Sequence, residues 1–197
     1  MFKRRHNPLK IWEVSLLIAL SAALCLGTWA QGRQNRLSSK LLRLHVIAAS
    51  DEEAEQALKL QVRDAVLAYL SPRLAGAGDI QQAQAILRQE LESIQLVAEG
   101  AAQGRSVTVS LGRERYPTKH YEGFTLPAGK YDSLRITLGQ GQGHNWWCIV
   151  FPPVCLSASQ SETVERQLGQ EDFRLISDGE GYELRFKILE FWGQLVG

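Results

Sequence analysis

Seventeen consecutive residues, Val14 to Ala30, are apolar apart from Ser15, Ser21 and Thr28, and no other stretch constrains the chain as much. Spanning a bilayer takes about 20 residues, with a lower limit near 17, so the run predicts a helix inserted in a membrane. Lys3, Arg4, Arg5 and Lys10 precede it, and positive charge gathered there holds that end in the cytoplasm. Residues 31–197 are therefore expected on the far side. Two fates of the segment stay open. Thr28-Trp29-Ala30 has the outline of a small-residue cleavage site; uncut, residues 11–30 remain as a signal anchor. Cys25 follows Leu24, where a lipoprotein signal needs a small residue.

The formal net charge of +1 conceals an asymmetry. Residues 1–30 hold four basic residues against Glu13, which leaves 18 basic and 20 acidic residues in the rest. A slightly acidic domain lacks the electrostatic footprint of a nucleic-acid binder. The chain divides into 1–30 as signal peptide or anchor, 31–40 as a polar, aperiodic linker, and 41–197 as one extracytoplasmic domain.

Within the domain, Leu42, Leu44 and Val46 alternate with Arg43 and His45, the pattern of a half-buried strand. Ser50 and Glu53 have capping-box spacing, and the helix that follows places Ala54, Leu58, Val62, Ala65, Val66 and Tyr69 on one stripe. Glu55 and Lys59 lie one turn apart on its outer side, and Ser71-Pro72 should end it. Asp79 opens a second helix that carries Ala83, Leu87, Ile94 and Ala98 inward and closes at Gly100. Strand patterns follow at Val107–Leu111, Leu134–Leu138, Trp146–Phe151 and Tyr182–Ile188, with a short helix over Ser161–Leu168. The expected class is α+β, with helices on one face of a mostly antiparallel sheet.

A search for chemistry finds no nucleophile elbow, zinc-protease motif or phosphate loop. Gly139, Gly141 and Gly143 lead into a strand rather than a helix, so they read as a flexible hairpin turn. His144, Cys148 and Cys155 offer three zinc ligands without an evident fourth; in an oxidising compartment Cys148 and Cys155 can instead pair as a disulfide. His45 reads as structural or solvated, with acid–base chemistry as the alternative. Trp146 and Trp147 are strand neighbours and must point to opposite faces. One of them, with Lys119 on the Pro117–Lys130 loop, is a candidate partner contact. No cofactor, metal or small-molecule substrate is expected.

Two segments go beyond patterning. RLHVIAASDEEAEQALKLQVRD (Arg43 to Asp64) and YPTKHYEGFTLPAGKYDSLRITLGQGQGHNWWCIVFPPVC (Tyr116 to Cys155) resemble the stage II sporulation protein R family of endospore formers. The likeness rests on His45-Val46-Ile47-Ala48 with Ser50-Asp51, and on Lys59 with Val62-Arg63-Asp64. It rests further on Pro117-Thr118-Lys119, Leu126-Pro127-Ala128-Gly129, and Asn145-Trp146-Trp147-Cys148 with Phe151-Pro152-Pro153 and Cys155. Ala49 departs from the family's usual Asn, and Glu122 separates Tyr121 from Gly123. The resemblance implies an exported signal made in the forespore. It would act in the space before the mother cell on a membrane-embedded aspartic protease that processes the sigma-E precursor. The chain would then be an activator rather than an enzyme. A cell-envelope enzyme using His45, Asp51 or the cysteines, and a structural septal protein, are the alternatives.

Overall fold

The computed structural model describes residues 10–155, 160–174 and 176–177; the strand expected at Tyr182–Ile188 lies outside them. The first helix, α1 (Ile11–Ser38), carries the apolar run and is long and apolar enough to cross a membrane. Leu16, Leu17, Ile18, Leu20 and Leu24 are all exposed, so the helix is apolar all round, as a lipid-facing helix is.

The segment 31–40 is not an irregular linker. α1 continues unbroken to Ser38, because only Gly32 in it opposes helix and Gln, Arg and Leu favour it. Its last turns already belong to the domain, with Gln34, Leu37 and Ser38 buried. Arg36 and Lys40 pair with Asp172 at 3.4 and 2.6 Å.

The sheet has the order β2-β5-β1-β6, built from β1 (Leu42–Ile47), β2 (Val107–Tyr116), β5 (Gly129–Leu138) and β6 (Asn145–Phe151). β2–β5 and β1–β6 are antiparallel, while β1–β5 is parallel. A separate hairpin joins β3 (Lys119–Tyr121) to β4 (Phe124–Leu126). Helices α2 (Glu53–Leu74), α3 (Ile80–Gln89) and α4 (Leu91–Ala101) supply the other layer. The expected α+β class, with helices over one face of a mostly antiparallel sheet, is what the chain adopts.

The alternating strand residues explain the main core. Leu42, Leu44 and Val46 of β1 and Leu134, Ile136 and Leu138 of β5 meet Val62, Val66 and Leu70 of α2. The opposite face is covered over only part of its length. There Leu37, Leu41, Tyr116, Tyr131, Phe124 and Ile149 form a second cluster with Val164 and Leu168 of α5 (Gln160–Leu168). Asp172 lies in the short α6 (Gln170–Phe173) that follows.

Several local expectations give way to tertiary demands. Ser50 does not cap α2: Glu52 takes that place without a side-chain bond, because Ala48 and Ala49 are held by the amides of Gly143 and Gln142 and the chain needs 48–52 to turn. α2 also runs through Pro72 to Leu74. The carbonyl that Pro72 leaves without its donor is that of Ala68, on the exposed side, where water can serve it, while buried Leu74 holds the last turn inward. The second helix is two helices, broken at Glu90, and Gly100 lies inside α4. The left-handed residues that turn the chain are Gln103 and Gly104.

Glu55 and Lys59 are buried rather than outward. Glu55 receives Arg105 at 2.6 Å. Lys59 donates to Gln56 Oε1 at 2.6 Å and to the His144 carbonyl at 3.0 Å. Nor do the three glycines form a hairpin turn, because β1 lies between β5 and β6. Residues 139–144 cross the end of β1 instead. A side chain at Gly143 would collide with the Ser50 carbonyl, and Gly141 has φ +64° with its missing Cβ against Thr137. Both positions therefore require glycine.

Candidate functional site

The motif segments, distant in sequence, gather at two ends of the sheet. The first end lies where β1 stops and β6 begins. Asp51 Oδ1 accepts from the His144 amide at 2.6 Å and lies 2.5 Å from His144 Nδ1. Gln56 Nε2 donates to the Ser50 carbonyl at 2.8 Å. Burial lowers the pKa of Lys59 from its ordinary value, an effect that neighbouring Asp51 opposes and Arg63 reinforces. Beside this knot, Trp146 is 37% exposed, with the Arg63 guanidinium 4.3 Å from its ring centre. A cation over the ring face favours one orientation of an exposed aromatic side chain.

On the sheet face away from α2–α4, His45 links two strands to β1. Its Nδ1 lies 3.0 Å from Glu114 Oε2, and its Nε2 lies 2.8 Å from Asn145 Oδ1. Glu114 also receives Arg135 at 3.1 Å and the Ser133 hydroxyl at 2.8 Å. Both imidazole nitrogens are thus engaged, and the nearby hydroxyl serves the carboxylate rather than the ring. Among the described residues no nucleophile sits against His45, which leaves it a cross-strand tie.

Arg43, expected on the polar face beside His45, is fully buried. Its guanidinium carbon lies 4.1 Å from the Tyr116 ring centre, 5.1 Å from Tyr131 and 6.0 Å from Tyr121, and Nη2 donates to the Tyr121 hydroxyl at 2.9 Å. The ring faces stabilise the charge. Desolvation raises the hydroxyl pKa of all three tyrosines, with Arg43 opposing it. The residue was missed because alternation alone assigns it to an open face; the aromatic residues at 116, 121 and 131 were the available signal.

The second end carries Pro117-Thr118-Lys119 and Leu126-Pro127-Ala128-Gly129. The expected functional loop contains the β3–β4 hairpin, in which Tyr121 stacks on Phe124 at 4.9 Å. Lys119 is half-buried and pairs in register with Leu126. Trp147 lies on the hairpin's side of the sheet, half-buried and 6.5 Å from Tyr116, whereas Trp146 is on the α2 side. The structure therefore does not bring Lys119 and Trp146 together. Cys148 and Cys155 are joined as a disulfide, with Cα atoms 5.7 Å apart. With both sulfurs bonded and His144 against Asp51, the three zinc candidates form no ligand set.

Residues 38–161 match the family model described as Stage II sporulation protein R. Stage II sporulation protein R of Bacillus subtilis (strain 168) is 36% identical over 152 residues, covering 72% of this chain and 67% of that protein. The family match thus begins at the last residue of α1 and takes in the whole sheet. No solved structure matches the chain.

Proposed function

The chain belongs to the stage II sporulation protein R family and serves sporulation, and from that premise we propose that it is an exported signal acting by contact. Its site of action is the space between forespore and mother cell. Its receptor is a membrane-embedded aspartic protease of the mother cell, whose activation leads to processing of the sigma-E precursor. α1 and the basic residues before it support export, as signal peptide or anchor.

The observation that carries the contact reading is the exposed Trp146 with the Arg63 guanidinium 4.3 Å from its ring centre, just beyond His144 in sequence, whose backbone is held by Asp51 and Lys59. Large aromatic anchors dominate binding energy at protein interfaces. An activator needs no chemistry of its own. It needs only higher affinity for the active state of its receptor, because a ligand shifts an equilibrium by that difference alone.

Co-expression with the protease and the sigma precursor in a non-sporulating host tests the proposal, with conversion read on a blot. The wild-type chain should drive conversion. Trp146→Ala should weaken it by roughly 30-fold, the effect of losing about 2 kcal/mol at an anchor, with little change in melting temperature. Trp147→Ala should act mainly through lower stability. Lys119→Ala separates the two ends: loss of conversion in a folded Lys119→Ala protein, with Trp146→Ala active, would move the contact to the hairpin. Conversion that does not depend on the chain would refute the activator reading.

A further inference from the structure

The two outer strands of the sheet each leave an edge, and the chain treats them differently. On β2, Gln95 of α4 fills the start of the edge: its Nε2 donates to the Val107 carbonyl at 2.7 Å and its Oε1 accepts from the Val109 amide at 2.8 Å. Exposed Arg113 and Arg115 follow along the same strand, and charged side chains guard an edge against pairing. On β6 the guard is the chain's own turn. The Ile149 carbonyl accepts from the amides of Val154 and Cys155 at 3.3 Å each, and the disulfide to Cys148 holds that turn in place.

The same bonds establish which backbone groups of β6 face outward. In an antiparallel pair a residue turns its N–H and C=O to one side, and the next residue turns both to the other. Ile149 gives its carbonyl to the turn, so it faces away from β1. Trp147 and Asn145 therefore face away as well, because the register is regular from Ile149 to Asn145. Trp146 and Cys148 exchange their groups with Val46 and Leu44. The Ala48 carbonyl, bonded to the Gly143 amide at 2.9 Å, continues that set on β1. The amides and carbonyls of Asn145 and Trp147 are thus left on an edge stretch with no Lys, Arg, Asp, Glu or Pro. Among the described residues no strand lies beyond them. A row of unpaired backbone groups without such guards is a template for another strand.

We propose that an extended, uncharged segment of the receptor adds to the sheet along Asn145–Trp147, as a strand beside β6. This rests on the contact reading of Trp146 and adds the partner's conformation to it. In such an addition main-chain hydrogen bonds give affinity and side-chain contacts give selectivity. The partner residue opposite Trp146 presents its side chain to the same face, where the indole is exposed, so an apolar side chain fits there. The ionisable groups around the edge already have partners: Arg63 meets Asp64 at 2.7 Å, His45 meets Glu114 at 3.0 Å, and Asp51 meets His144 at 2.5 Å. A charge carried in on the segment would be desolvated without a partner.

The test uses the full chain with the detergent-solubilised protease, and hydrogen exchange of single amides is read in the free and the bound chain. In the complex the Asn145 and Trp147 amides should slow by at least about tenfold, while those of Trp146 and Cys148, already bonded to β1, change little. Two variants probe the backbone itself. Asn145→Pro removes an outward donor, which an edge strand tolerates, and Asn145→Ala removes only the side chain. Asn145→Pro should bind more weakly than Asn145→Ala by roughly fivefold, the weight of one hydrogen bond. If Asn145→Pro unfolds the domain, the exchange pattern of the wild-type chain decides alone. Equal binding by the two variants, or a Trp146-dependent complex in which the Asn145 and Trp147 amides exchange as in the free chain, would overturn strand addition and leave the activator reading standing. No complex at all would overturn both.

Discussion

Tyr116, Tyr121 and Tyr131 surround a buried arginine, and their raised pKa values make the domain sensitive to alkali. In the unfolded chain a tyrosine ionises near pH 10. In the folded chain desolvation holds these three neutral at higher pH. Their contribution to stability is complete below about pH 10 and is lost as pH rises towards the folded values. Lys59 has the opposite sign: its folded pKa is lowered, so its penalty shrinks as pH rises to about 10.4 and then ends. Three tyrosines outweigh one lysine above that point. Denaturation midpoints should therefore fall steeply beyond about pH 10.5. Tyrosinate absorbance should lag well behind the five tyrosines of the sequence until the fold opens. Full tyrosinate absorbance in a chain that is still folded would contradict the burial.

The strands β1, β5 and β6 were legible as elements because their alternation follows one buried face, and α2 because its stripe repeats every turn. The hairpin was not legible. Strands of three residues are too short for periodicity, and Gly123, with φ +81°, was the clearest local mark of its turn. Glu55 and Lys59 were misplaced for a different reason. A helix pattern assigns charges outward, and only the distant residues Arg105 and His144 reveal that loops fold over them. The His45–Glu114–Asn145 tie joins residues 69 and 100 positions apart and exists only because of the strand order, which no local pattern contains. The last two turns of α1 were likewise hidden by their polarity. A chain that begins at Gln31 should retain full stability. One that begins at Leu41 loses buried Leu37 and strips Asp172 of both cations, and should be less stable by roughly 3–5 kcal/mol. Equal urea midpoints for the two truncations would show that those turns are not part of the domain.

At the scale of the whole molecule the charges before α1 are expected to set the orientation. A reporter fused after Gly197 should be active only if it requires export, and a reporter that requires the cytoplasm should stay silent. The reverse pattern would place the domain on the producing side and overturn the proposed export.

The unbroken course of α1 into the domain also gives an anchored chain a definite phase. A domain on a flexible leash turns freely about its tether, whereas one carried on a stiff helix keeps a single azimuth. Each residue inserted between Ala30 and Gln34 would raise the domain by about 1.5 Å and rotate it by about 100°. Two added residues would swing Trp146 by about 200°, to the opposite side, and seven would bring it back to within about 20° of its bearing at a greater height. Direction and reach are thus written into the same few residues, and the helix sets both together.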